Sequence, residues 1–121
     1  MTSCPCGSGE PYPACCGRFH AGSAQPPTAE ALLRARYSAF AVGDADFLTS
    51  TGVTGPGPVL EDGLSWTGLA VLECEQGGLF AATGTVRFVA RYTRGGERGS
   101  VEETSRFARV DGRWHYLGPA G

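Results

Sequence analysis

The chain has 121 residues, 41% of them hydrophobic and 18% charged, enough to bury a core as one domain with a small appendage. Its formal net charge is -2 and all ten basic residues are arginines, a balance that argues against broad electrostatic capture of nucleic acid or acidic membranes. No run approaches the ~18 apolar residues of a membrane span, and the N-terminus lacks the basic start and apolar stretch of a secretory signal, so the expected location is the cytoplasm, where thiols stay reduced.

Residues 1–20 hold four of the five cysteines, show neither helical nor strand periodicity, and read as a knuckle of turns. "AGSAQPP" (21–27) is a proline-ended linker. The stretch 28–50 reads as helical, with Thr28 as N-cap and Gly43 as stop; Leu33, Tyr37 and Phe40 form its apolar stripe, widened by Leu32 and Ala41, with Arg34 and Ser38 off it. Asp44 or Asp46 caps a shorter second helix carrying Phe47 and Leu48. Residues 51–63 read as a loop, and 64–74 as a strand in which Cys74 is a small buried hydrophobe. The run 84–93 alternates as a half-buried strand with Val86, Phe88, Ala90 and Tyr92 on one face. A turn at 94–99 leads into a returning strand at 100–110, and Asp111-Gly112 signals a two-residue hairpin into a last strand at 113–117. Helices followed by an antiparallel meander predict an α+β domain over 28–121.

Cys4, Cys6, Cys15 and Cys16 follow the spacing C-x-C-x8-C-C. Cys4 and Cys6 are too close in sequence for an easy disulfide, a vicinal Cys15–Cys16 bond is strained, and the expected compartment is reducing. A thioredoxin-like site would want C-x-x-C at a helix start in a βαβ context, and neither is present. Zinc fits best: four thiolates close a tetrahedral structural site with no position left for water. His20, four residues after Cys16, is the rival fourth ligand; its other reading is a surface residue packing the knuckle on the linker.

"CPCGSGEPYPACCG" resembles the SEC-C motif, the short zinc knuckle at the tail of the SecA translocation motor, whose last ligand stands directly beside the third; this resemblance favours Cys16 over His20. "RFHAG", "PTAEALLRARYSAFAVGD", "GTVRFVARY" and "SRFARVDGRWHY" resemble the YchJ family (UPF0225) along nearly the full chain. That resemblance implies an NTF2-like cone behind the knuckle, with no enzymatic activity to carry over. Related chains tend to carry a Trp-His pair after the second helix and a His before the glutamate of the E-x-S-R-F run; this chain has Thr51-Gly52 and Glu102 there.

Candidate groups for a cone pocket are Tyr37, Phe40, Trp66, Tyr92, Glu103, Arg106 and Trp114, the aromatics being equally at home as core. Glu103 and Arg106 must point to opposite faces of their strand, Glu103 aligning with Ser105 and Phe107. His115 is the sole histidine after the linker, so no acid–base set is expected and catalysis is not favoured. Two functions follow from these residues. The first is a non-enzymatic adaptor whose zinc-ordered knuckle contacts a protein or ribosomal partner through Glu10, Pro11, Tyr12, Pro13, Arg18 and Phe19. The second is a small-molecule binder or enzyme working through the cone, with zinc purely structural. A homodimer through the open sheet face is the quaternary state that an NTF2-like cone suggests.

Overall fold

The computed structural model describes residues 3–52 and 64–119. Most of the expected 51–63 loop lies outside the described residues; Thr51 itself ends a helix, and Gly52 bridges to Tyr116.

A 3-10 turn, Tyr12–Ala14, leads into the short helix α1 (Cys16–His20). Helix α2 spans Ala29–Val42, where Thr28 accepts from the Ala31 N–H at 3.1 Å and Gly43 closes the C-terminus in the left-handed region at φ 81°. Asp44 caps α3 (Ala45–Thr51) by accepting from the Phe47 N–H. Four strands follow: β1 (Leu64–Gln76), β2 (Thr83–Arg94), β3 (Glu97–Val110) and β4 (Arg113–Pro119). They form one antiparallel sheet in chain order. The sheet's curvature comes with register shifts at Trp66/Gly68, Val71/Glu73 and Arg106/Phe107.

Both later hairpins turn on two residues with positive φ, Gly95–Gly96 and Asp111–Gly112, the backbone that matches the twist of paired strands. The first turn is shorter than expected, so β3 starts at Glu97 rather than residue 100. The β1–β2 turn returns under the start of α2. There Ala29 N–H donates to the Gly77 carbonyl, and a Cβ on Gly84 would sit 2.4 Å from Gly77 Cα. Only glycine fits that crossing.

The expected stripe of α2 faces the sheet, but Ala41 is exposed while Ala35, Ser38 and Ala39 are fully buried. The N-terminal knuckle covers this second flank, and small side chains allow its close approach. No described helix is long and apolar enough to cross a membrane.

Cys74 corrects the sequence expectation. Past the Val71/Glu73 irregularity β1 loses its buried face, and Cys74 is exposed with its Sγ 3.4 Å from Glu30 Oε1. Partial desolvation, then the Glu30 carboxylate, pushes this thiol up to about 11. Its thiolate fraction at pH 8 is then roughly a hundredfold below that of an ordinary cysteine, partly offset by greater nucleophilicity per thiolate. Iodoacetamide at pH 8 is expected to alkylate Cys74 about tenfold more slowly than a cysteine peptide, and Glu30→Gln to speed it. Alkylation at the peptide's rate would contradict this.

Candidate metal centre and cone cavity

The knuckle is a loop closed on itself. Cys4 N–H donates to the Glu10 carbonyl at 2.9 Å, and Ser3 bridges Pro11. Gly7 and Gly9, both with φ above 80°, let the chain reverse between them. This reversal carries Cys4 and Cys6 back against Cys15 and Cys16, which follow the Tyr12–Ala14 turn. All four Sγ atoms lie within 4.8 Å of one another, and Cys6 and Cys15 are 3.7 Å apart. A tetrahedral ion with sulfur at about 2.3 Å sets edges of about 3.8 Å, so the four sulfurs fit a metal ion. Every described cysteine is free of disulfides. Cys4, Cys6 and Cys16 are buried, and Cys15 keeps Ser8 Oγ 3.1 Å from its sulfur.

Charge is shared unequally among these sulfurs. The Cys16 thiol holds Cys6 low by hydrogen bonding to it, and the same bond, with burial, holds Cys16 high. Burial also raises Cys15. A bound dication would replace those protons and supply the counter-charge that four thiolates need.

His20 lies outside the four-sulfur cluster. It is not the surface residue that the alternative reading required either, because its side chain is only 5% exposed. Nε2 lies 2.8 Å from the Ala35 carbonyl, which only accepts; in the neutral ring Nδ1 then accepts from the Tyr12 hydroxyl. Its ring also packs on Phe47 at 4.6 Å between centroids. Three contacts seat the knuckle on α2: His20 to Ala35, Arg34 Nη1 donating to the Cys6 carbonyl at 2.9 Å, and Cys4 Sγ at 3.5 Å from Ser38 Oγ. Phe19 is buried and Tyr12 half-buried, so these aromatics are the knuckle's miniature core.

On the other side of α2, the concave sheet face leaves a cavity of about 220 Å³. Tyr37, Phe40, Trp66 and Glu103 line it as expected. Tyr92, Arg106 and Trp114 do not line it. Tyr92 packs edge-on behind Trp66 at 5.6 Å, and Arg106 is exposed on the opposite face of β3. Trp114 is buried, donating its Nε1–H to the Pro27 carbonyl.

Three polar cavity residues were not among the expected pocket groups: Arg36, Ser105 and Tyr116. Arg36 stands three residues after Leu33 and four before Phe40, within the stripe's own spacing; its charge disguised it. It is 9% exposed, donates Nη1 to the Leu48 carbonyl at 2.9 Å and Thr51 Oγ1 at 2.7 Å, and lies 4.4 Å over the Tyr116 ring. Burial lowers it to about 10, with Tyr116 and Glu103 opposing, so it stays a cation at neutral pH. The Ser105 and Tyr116 hydroxyls both donate to Glu103 Oε2, the latter at 3.2 Å. Burial, then Glu103, raises the Tyr116 phenol and keeps it a donor.

Residues 28–119 match the family described as the YchJ middle NTF2-like domain. A UPF0225 protein of Streptomyces coelicolor is 53% identical over 93% of this chain and 90% of its own length. The chain belongs to the YchJ family, UPF0225. Another UPF0225 relative, from Chromobacterium violaceum, is 48% identical over 95% of this chain and 90% of its own. A solution structure of a SEC-C motif containing protein from Rhodopseudomonas palustris superposes with TM-score 0.85 at 32% identity, covering 98% of this chain and 97% of that one. A crystal structure of a SEC-C motif containing protein from Psychrobacter arcticus shares the fold, with TM-score 0.79 at 23% identity, over 99% and 82% of the two chains. The NTF2-like α+β fold and the SEC-C likeness that the sequence suggested both hold.

In this YchJ-family chain the two positions where the resemblance led one to expect histidine, at Thr51-Gly52 and at Glu102, occupy different places. Thr51 does not line the cavity but accepts a hydrogen bond from Arg36, which does. Glu102 faces away, pairing with Arg87 on the outer side of the sheet at 3.3 Å. A histidine at position 102 would therefore not reach the cavity.

Proposed function

We propose that the chain is a small-ligand-binding protein that works without catalysis in a reducing cytoplasm. In this reading Cys4, Cys6, Cys15 and Cys16 hold Zn²⁺ as a closed structural site, and the cone cavity is the working site. The observation that carries it is the convergence of Arg36, Tyr116, Ser105 and Glu103 on an otherwise apolar cavity, since a few fixed polar groups in a hydrophobic cleft are the usual make-up of a ligand site. The metal's part is structural: bound thiolates fix the knuckle, and the knuckle clamps the back of α2, whose front lines the cavity.

Native mass spectrometry of the protein purified from its own cells tests this. The expected result is a stoichiometric small organic molecule, lost when Ala90→Phe fills the cavity while the metal stays. Retention of the same molecule by that variant would contradict the reading.

One observation favours a second reading, in which the knuckle is an adaptor for a protein or ribosomal partner. Residues Gly7–Glu10, Pro13, Ala14 and Arg18 stay exposed although three of the four cysteines beneath, Cys4, Cys6 and Cys16, are buried. Partner recovery by the full chain, abolished by joint substitution of Glu10, Pro13 and Arg18, would support it; equal recovery would sink it.

A further inference from the structure

The cavity's size and charge constrain its occupant. Its volume of about 220 Å³ exceeds the ~150 Å³ of a cavity that takes benzene and falls short of the ~300 Å³ at which drug-sized pockets begin. One ring with a small substituent fills it. The rings of Tyr37, Phe40 and Trp66 lie at one side, with Trp66 6.0 Å from Tyr37 and 6.2 Å from Phe40 between centroids. Tyr37 meets Trp66 edge-on and Phe40 is tilted against it, so the three offer both faces and edges to a further ring.

The polar corner is neutral as a whole. Arg36 supplies one positive charge and Glu103 one negative, both facing the same cavity. An ammonium brought here meets Arg36, a carboxylate meets Glu103, and either leaves an uncompensated charge out of water. Glu103 Oε2 already takes the Ser105 and Tyr116 hydroxyls, whereas Oε1 has no donor among the described residues. What the corner lacks is one hydrogen-bond donor without charge.

We propose that the cavity binds an uncharged single-ring molecule bearing a hydroxyl, with the ring against Trp66 and Phe40 and the hydroxyl donating to Glu103 Oε1. This inference rests on the ligand-binding reading above and adds the ligand's chemical class.

Four matched probes test it by two-dimensional amide NMR of the full, metal-loaded chain: p-cresol, toluene, benzoate and benzylamine. p-Cresol is expected to shift the Trp66 indole and the Phe88 and Ser105 amides. Its affinity should be at least tenfold above that of toluene and of either charged probe. Glu103→Gln should lower p-cresol affinity about tenfold and leave toluene unchanged. The comparison of probes on the unmodified chain stands even if that variant folds poorly. Benzoate or benzylamine binding as tightly at the same residues would overturn the neutral class while leaving the cavity as a ligand site. Toluene equal to p-cresol would overturn the role of Glu103. No shift at the lining residues with any probe would overturn this inference and the ligand-binding reading together.

Discussion

Stripping the metal from the full chain with a strong chelator at neutral pH is expected to release residues 3–24 from α2 and lower the thermal midpoint by about 10 °C. Cys4, Cys6, Cys16 and Phe19 are each no more than 7% exposed. None belongs to a helix longer than α1's five residues, too short to persist alone. Without the ion, weak thiol hydrogen bonds stand in place of four metal–sulfur bonds, and the knuckle keeps only its turn hydrogen bonds, the Phe19 contact and the three polar contacts to α2. Losing the burial of Phe19 and of the alanine–serine flank of α2 costs about 3 kcal/mol at ~25 cal/mol per Å² of apolar surface, which for a domain of this size is roughly 10 °C. Cys6→Ser should reproduce the effect. Acid should act in the same direction, because protons compete with the metal for four sulfurs. A midpoint moved by less than ~2 °C, with the amide signals of residues 3–24 unchanged, would mean that the knuckle holds itself on α2 without metal.

Arg36→Met should destabilise the fold by about 3 kcal/mol and empty the cavity's polar corner of its cation. The substitution keeps the unbranched apolar stem but removes two charge-assisted hydrogen bonds, to the Leu48 carbonyl and Thr51 Oγ1, and the stack on Tyr116. Hydrogen bonds from a charged donor contribute about 1.5–3 kcal/mol each, against which methionine recovers some packing. The Glu103 carboxylate loses its counter-charge within the same cavity, so the loss is not confined to α3. Arg36→Lys restores charge without the planar fork and should recover only part of the loss. Urea unfolding with an unchanged denaturant slope measures it. Stability within 0.5 kcal/mol of the parent would show that Arg36 is incidental to the link between α2 and α3.

How much of this was legible beforehand follows from which residues speak through local rules. The helix caps Thr28, Asp44 and Gly43 and the Asp111–Gly112 hairpin are local chemistry, and the sequence showed them directly. The alternation of β2 gave the concave face, and the parity of β3 placed Glu103 with Ser105 and Phe107. The four cysteines were legible because their spacing leaves few other uses. Hidden were facts that depend on what packs from far along the chain. Ser38 was placed off the apolar stripe, and its burial, like that of Ala35, was hidden because nothing local reveals that residues 3–20 return to cover that flank. Arg36 was hidden by its charge, since a buried arginine is rare unless partnered, and its partners Leu48, Thr51 and Tyr116 lie 12 to 80 residues away. Trp114 went the other way: its aromatic ring suggested the cavity, but its N–H needed an acceptor, and the linker carbonyl of Pro27 supplies one.

X-ray absorption on the full chain as purified, with metal analysis on the same sample, tests the metal centre on which this account turns. One zinc per chain surrounded by four sulfurs at about 2.3 Å, with no lighter scatterer in the first shell, is the expected result. A nitrogen or oxygen in that shell, or zinc that fails to co-purify while another metal takes its place, would contradict it.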